Sequence, residues 1–437
     1  MKVGPMARVV MLVVTVFAGS GALDAMGSAA HYDLYLRLDP ARQSIEVSGS
    51  FEWPAGDCGE PMVLYLHKDM TVIRVVGGGL RSWVRHGFRP SPFFWMPDGR
   101  ALILNFTNEG HEGSRRRVFF AYRGRITHWN EWSANVLTPE WTELGVYLPW
   151  FPTHPDCGPF TFHLEVERVA GIEIRSTGEA KQDGGRLVFE GQDPTSDIVV
   201  AASPGLKTRG FETPGCQVWV HHVTLSTPTV EQIADDVSWI FGRFRSWFSG
   251  SVRGRITLLQ SMRERGGGYA RRGFISLGGL DDEGYRGNRE GYQRYLSHEL
   301  SHLWWHRAPT STWEDWLNEG FAEYSALLVI RERFGEEAFQ RRLHEKRENS
   351  KGLPPVRCLN RQDVSSADKR NVIERVLYQK APVLLHRLRE KIGYGRFIEA
   401  CRLMIERNVQ STAGFLRTLD ETVGPGTGEW FGSLLDR

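Results

Sequence analysis

Ser297-His298-Glu299-Leu300-Ser301-His302-Leu303 is the stretch that decides how the rest of the chain reads. Two histidines four positions apart stand one turn apart on one face of a helix, so both imidazoles can reach a single metal ion. Glu299, beside the first of them, is placed to take a proton from a water on that metal. A catalytic zinc site takes three protein ligands and keeps a fourth position open. In one group of such sites the third ligand is a His ten residues after the first, but the residue there is Ala308. His306 is rotated about 80° away from His298 around a helix axis and reads as a surface or core histidine. The better third ligand is Glu319, in Trp316-Leu-Asn-Glu-Gly-Phe-Ala-Glu-Tyr324. There a turn over Trp313–Trp316 leads into a helix with apolar Phe321, Leu327, Leu328 and Ile330. Glu323 lies one turn further on the same face, placed either to hydrogen-bond a ligand imidazole or to form an exposed salt bridge.

Outward from this segment the chain changes character. From Thr229 the apolar residues Val230, Ile233, Val237, Ile240, Phe241 and Phe244 step at three and four, a helical period. Arg255–Gln260 reads as a strand, and several helices follow to the C-terminus. Towards the N-terminus, Tyr32-Asp-Leu-Tyr-Leu-Arg-Leu38 and Phe160-Thr-Phe-His-Leu-Glu-Val166 alternate apolar and polar residues, with turn formers between short apolar runs. The expected organisation is multidomain: a signal peptide over 1–30, an N-terminal antiparallel β saddle or sandwich over 31–208, and an α+β catalytic domain over 209–437. Lys2 and Arg8 precede an apolar run over Val9–Phe17 and a stretch of small residues, the pattern of a secretory signal. The expectation is export to the periplasm or the extracellular space, with no stable membrane insertion unless the signal stays uncleaved.

The chain resembles the gluzincin aminopeptidases of family M1 in three motifs. These are His298-Glu-Leu-Ser-His302, Trp316-Leu-Asn-Glu-Gly-Phe-Ala-Glu-Tyr324 and Tyr378-Gln-Lys-Ala-Pro-Val-Leu-Leu-His-Arg-Leu388. The resemblance implies a β saddle followed by a thermolysin-like (zincin) domain, with one zinc ion held by His298, His302 and Glu319. It further implies Glu299 as general base and Tyr378 as the hydrogen-bond donor to the oxyanion. Sixteen residues separate His302 from Glu319, fewer than is usual in the family. The family's substrate-lining Gly-x-Met-Glu-Asn strand corresponds to Gly267-Gly268-Tyr269-Ala270-Arg271, so Ala270 stands where a Glu normally grips the substrate's amine. The glycines and an edge strand at Gly273–Leu277 remain suited to peptide pairing by strand addition. Glu143 is a candidate replacement for the missing amine ligand, with a surface carboxylate as the alternative. The family's large C-terminal helical domain is not expected within 437 residues.

Charge and cysteines narrow the remaining classes. With 54 Lys+Arg against 52 Asp+Glu, the net charge of +2 gives no field for nucleic acid. The five cysteines form no metal-binding or redox pair; a disulfide, if present, is expected first at Cys58–Cys157. The resulting expectation is a zinc-dependent metallopeptidase acting on a peptide or protein substrate, aminopeptidase-like with altered amine recognition. The alternatives are an endopeptidase, hydrolysis of an epoxide or lipid on the same metal, and a non-catalytic envelope binding protein.

Overall fold

The computed structural model describes residues 29–54, 61–93, 95–107, 115–129, 135–154, 158–248, 252, 254–263, 267–361 and 366–437. Almost all of the expected signal segment, and both Cys58 and Cys157, lie outside these residues. Cys216, Cys358 and Cys401 are free thiols. The chain divides into two compact units: residues 1–208, 221–224 and 258–280 form the first, and 209–220, 225–257 and 281–437 the second.

The first unit is built from sheets. Alternation places Tyr32, Leu34, Leu36 and Leu38 on the buried face of Ala30–Asp39, and Phe160, Phe162, Leu164 and Val166 on that of Phe160–Glu167. Each such side chain contributes roughly 1.5–3 kcal/mol by leaving water. These strands belong to a seven-stranded sheet ordered Glu179–Asp183, Arg186–Thr195, Phe160–Glu167, Ala30–Asp39, Ser44–Pro54, Arg115–Arg125 and Met70–Gly77. All of its described pairings are antiparallel except that of Ala30–Asp39 with Phe160–Glu167, which is parallel. A parallel neighbour needs a long crossover, and the intervening hundred or so residues supply it. Tyr32 stacks on Phe51 at 4.3 Å between ring centroids and meets Phe151 and Phe160 edge-on, which joins the sheet to the core.

The segment expected to line the substrate is a hairpin of this unit. Gly267–Arg271 pairs antiparallel with Phe274–Gly278 around Gly273, whose φ of 72° lies in the left-handed region. Among the described residues Gly267–Arg271 is the outermost strand of its sheet, so the edge belongs to it and not to Gly273–Leu277. The turn at Gly273 folds Phe274–Gly278 inward and leaves the glycine-rich strand outside.

The second unit is mainly helical. Helices span Thr227–Trp247, Arg289–Ser301, Trp316–Ser350, Ala367–Arg375, Ala381–Ile392, Tyr394–Glu406, Thr412–Val423 and Thr427–Leu435. Gly335, at φ 90° and ψ 173°, bends the long Trp316–Ser350 helix into two segments. Between Arg375 and Ala381 the chain makes a π-turn over Val376–Lys380, closed by the Ala381 N–H on the Val376 carbonyl. Among the described residues no helix is long and apolar enough to cross a membrane.

Candidate metal centre

His298 and Glu299 ride on Arg289–Ser301, and His302 caps that helix's C-terminus. All three are buried. The helix is started by Asn288, whose side chain accepts from the Gly291 N–H. Beyond His302 the chain is anchored by Trp304, which lies against Phe241, Phe244 and Phe248. Trp305 rests on Phe248 and Phe321.

Glu319 arrives on the first turn of Trp316–Ser350. Trp316, fully buried among Phe321, Phe415 and Phe431, donates its Nε1–H to Thr412 Oγ1 at 2.8 Å and fixes where that helix begins. Asn318 clasps the short loop leading to it, accepting from the Ala308 N–H at 3.1 Å and donating to the Ala308 carbonyl at 3.0 Å. A connection of sixteen residues therefore delivers Glu319 to the histidines. His306, half-buried, has its Nδ1 2.9 Å from the His302 carbonyl.

One ligand atom each from His298, His302 and Glu319 falls within 4.8 Å of the others. Glu319 Oε2 is 3.2 Å from His298 Nε2 and 3.6 Å from His302 Nε2, and the two Nε2 atoms are 3.3 Å apart. The other nitrogen of each ring is spoken for. His302 Nδ1 lies 2.9 Å from the Trp305 carbonyl, which can only accept, so Nδ1 carries a proton there and Nε2 keeps its lone pair. His298 Nδ1 lies 2.9 Å from Glu323 Oε2. Two imidazole nitrogens and a carboxylate oxygen brought this close together, with each imidazole backed by a hydrogen bond on its far side, fit zinc with a fourth position open.

The charges point the same way. Burial works against a charged His298, but Glu319 on Nε2 and Glu323 on Nδ1 outweigh it and hold its pKa up at about 10. The site therefore favours positive charge at Nε2. Burial keeps the His302 ring below its usual pKa, in the neutral form that can be a ligand. Burial also disfavours the Glu323 carboxylate, yet Arg294 and Lys346 hold its pKa well below the usual range. Both cations reach Glu323 Oε1 at 2.7 Å. Glu323 is thus a buried partner of His298 and not an exposed salt bridge.

Tyr378 sits in the π-turn with its ring centroid 5.3 Å from that of His298. Its hydroxyl hydrogen-bonds Glu319, and burial together with that carboxylate pushes the phenol well above its usual pKa. It keeps its proton and remains a donor. The charge of Glu299 helps raise the pKa of both His298 and Tyr378.

The remaining expected site residues lie in the first unit. Glu143 is 0% exposed, so it is not a surface carboxylate. Its Oε1 accepts from the Tyr269 hydroxyl and the Ser276 hydroxyl, both at 2.7 Å, and its Oε2 accepts from Ser261 Oγ at 2.5 Å and Trp141 Nε1 at 3.3 Å. Four neutral donors thus occupy its oxygens. Tyr269 points into this cluster and Ala270 is also buried. Glu143→Ala strands those donors and is expected to cost the first unit about 3 kcal/mol or more, read as a lower urea midpoint. An unchanged midpoint with a raised KM would assign Glu143 to substrate binding instead.

Three supporting groups had little or no signature in the sequence. Arg294 stands four residues before His298 on the same face, a spacing that could have pointed to it. Lys346 lies in the charged run His344-Glu-Lys-Arg-Glu348, which reads as a solvated surface. The Trp305 carbonyl is backbone, and no residue type announces it.

The family model described as the peptidase family M1 domain matches residues 282–426. No curated protein sequence matches the chain. Among solved structures, the M1 zinc metallopeptidase of Deinococcus radiodurans is similar at TM-score 0.69 and 17% identity, over 94% of either chain. A variant of that protein bound to a Tyr-Ser-Ala substrate is similar at TM-score 0.66 and 18% identity, over 94% of either chain. The leukotriene A4 hydrolase of Saccharomyces cerevisiae is similar at TM-score 0.66 and 17% identity, over 93% of this chain and 66% of that one. Residues 282–426 thus match the peptidase family M1 domain, and the chain is similar in fold to two-domain M1 zinc metallopeptidases.

Proposed function

We propose that the chain is a zinc-dependent peptidase, aminopeptidase-like but with amine recognition unlike the family's, binding one zinc ion per chain. The observation that carries this is the convergence of His298, His302 and Glu319 within 4.8 Å, with each imidazole held from behind. Zinc in such a site polarises a substrate carbonyl and makes a bound water acidic near neutral pH. Glu299 takes the water's proton as it attacks the peptide carbonyl and passes it to the departing amine. Tyr378 donates its hydroxyl proton in a hydrogen bond to the carbonyl oxygen as negative charge develops there. Glu323 and the Trp305 carbonyl keep the Nδ1 protons of His298 and His302 in place, so neither ring turns away.

The expected substrate is a short peptide, in keeping with the Tyr-Ser-Ala substrate bound by the Deinococcus radiodurans relative in fold. Within the first unit, the outer edge of Gly267–Arg271 is suited to strand addition by an extended chain. Ala270 brings no carboxylate to the amine. Tyr378→Phe is expected to lower kcat by about 10²–10³-fold, the usual loss for one oxyanion donor, with little change in KM; steady-state kinetics on a short peptide measure both. We further propose export to the periplasm or outside the cell, checked by locating the mature protein and reading its N-terminal residue.

The decisive experiment digests a peptide library, half of it blocked at the N-terminus, with and without a chelator. Release of free N-terminal residues, abolished by the chelator and restored by zinc, is the expected result. Cleavage of blocked peptides at internal bonds turns the reading to an endopeptidase, and cleavage that survives chelation overturns the zinc mechanism.

A further inference from the structure

Lys346 is a buried ammonium some distance along the chain from every motif of the site. It lies beyond the Gly335 bend, on the far segment of Trp316–Ser350. Burial lowers its pKa, so holding its charge there costs free energy that its contacts must offset. Among the described residues it hydrogen-bonds Glu323 Oε1 at 2.7 Å and the backbone carbonyl of Tyr378 at 2.8 Å. Neutralising Glu323 does not by itself require Lys346, because Arg294 meets the same oxygen at 2.7 Å and is better exposed to water. What Lys346 adds is the bond to the π-turn.

That bond matters because of where Tyr378 sits. A π-turn shifts the hydrogen-bond register of a helix, and the side chain it carries is displaced from regular helical spacing. The Tyr378 ring must lie beside His298 and its hydroxyl must reach Glu319. The Glu323 oxygen that Lys346 does not touch holds His298 Nδ1. One ammonium therefore ties together the group that orients the metal-binding imidazole and the backbone that carries the oxyanion donor.

We propose that Lys346 is a positioning residue that couples the orientation of His298, through Glu323, to the placement of Tyr378 in its π-turn. This deepens the zinc-peptidase reading and rests on it. Arg294 serves as the internal comparison, since it meets the same Glu323 oxygen from the helix that carries His298.

The test is a pair of double-mutant cycles on zinc affinity, measured with the full chain by competition against a chromogenic chelator. Lys346→Met is expected to weaken zinc binding by roughly 10–100-fold. Combined with Tyr378→Phe, its effect should depart from the product of the single effects by about threefold or more. Arg294→Met with Tyr378→Phe should simply multiply. At saturating zinc, Lys346→Met should lower kcat and leave KM close to its original value. If the methionine variant does not fold, Lys346→Gln replaces it in the same cycle with the same expected outcome. A Lys346 cycle that multiplies, in a protein whose wild type binds zinc and cleaves peptides, overturns the positioning role alone. Coupled zinc affinities in a protein that cleaves no peptide keep the positioning role and remove the peptidase. A wild type that binds no zinc overturns both.

Discussion

Glu299→Gln is expected to reduce kcat by about 10²–10⁴-fold, the usual range for loss of a general base, while zinc content stays at the wild-type level. Gln keeps the shape of the carboxylate and removes its capacity to hold a proton. Glu299 is 3% exposed and follows His298 on the same helix, so the substitution leaves the helix packing as it is. Its effect on the metal is small for a specific reason. Glu299 is one of the charges that raise the His298 pKa, so losing it weakens attraction for a cation and equally weakens the competing proton. Metal analysis beside steady-state kinetics separates the outcomes. Turnover near wild type would remove Glu299 from the mechanism. Loss of zinc together with turnover would make it a structural support of the site.

The parts of this site legible in the sequence are those set by short-range geometry. His298 and His302 are four residues apart on one helix, and helical period alone brings them together. Glu319 was legible through the apolar helix it opens. Its delivery depends on Asn318 gripping Ala308, a bond between a side chain and a backbone that sequence spacing does not reveal. Tyr378 came only through resemblance, because a tyrosine in a helical stretch ordinarily reads as core, and the π-turn that aims it has no residue signature. Lys346 was illegible because its partners lie 23 and 32 positions away, and a lysine in a charged run normally faces water. The β-rich unit shows the same limit. Alternation identified the buried faces of Ala30–Asp39 and Phe160–Glu167 but carries no information on their parallel pairing, which joins positions 130 residues apart. The burial of Glu143 was not legible, because its donors Ser261, Tyr269 and Ser276 come from more than a hundred residues later.

Glu319→Ala is expected to abolish both zinc binding and hydrolysis, with a loss of zinc affinity greater than the roughly 10–100-fold that removal of a supporting residue causes. Glu319 Oε2 faces both Nε2 atoms, at 3.2 and 3.6 Å, and supplies the only negative charge in the proposed donor set. Alanine leaves two neutral nitrogens, too few for a closed hold on the ion. It also releases the Tyr378 hydroxyl from its partner, so the oxyanion donor loses its ground-state anchor in the same step. Thermal unfolding reads the metal term independently of turnover. Zinc at a thousand times its dissociation constant stabilises a binding protein by about 4 kcal/mol, which for a domain of this size raises Tm by roughly 2–4 °C per kcal/mol. Wild type should show that rise on adding zinc and lose it with a chelator. Glu319→Ala should melt at one temperature in either condition. A variant that still melts higher with zinc, and still cleaves peptides, would move the third ligand elsewhere in the chain. The melt and the kinetics must change together, because the same carboxylate holds the ion and aligns Tyr378.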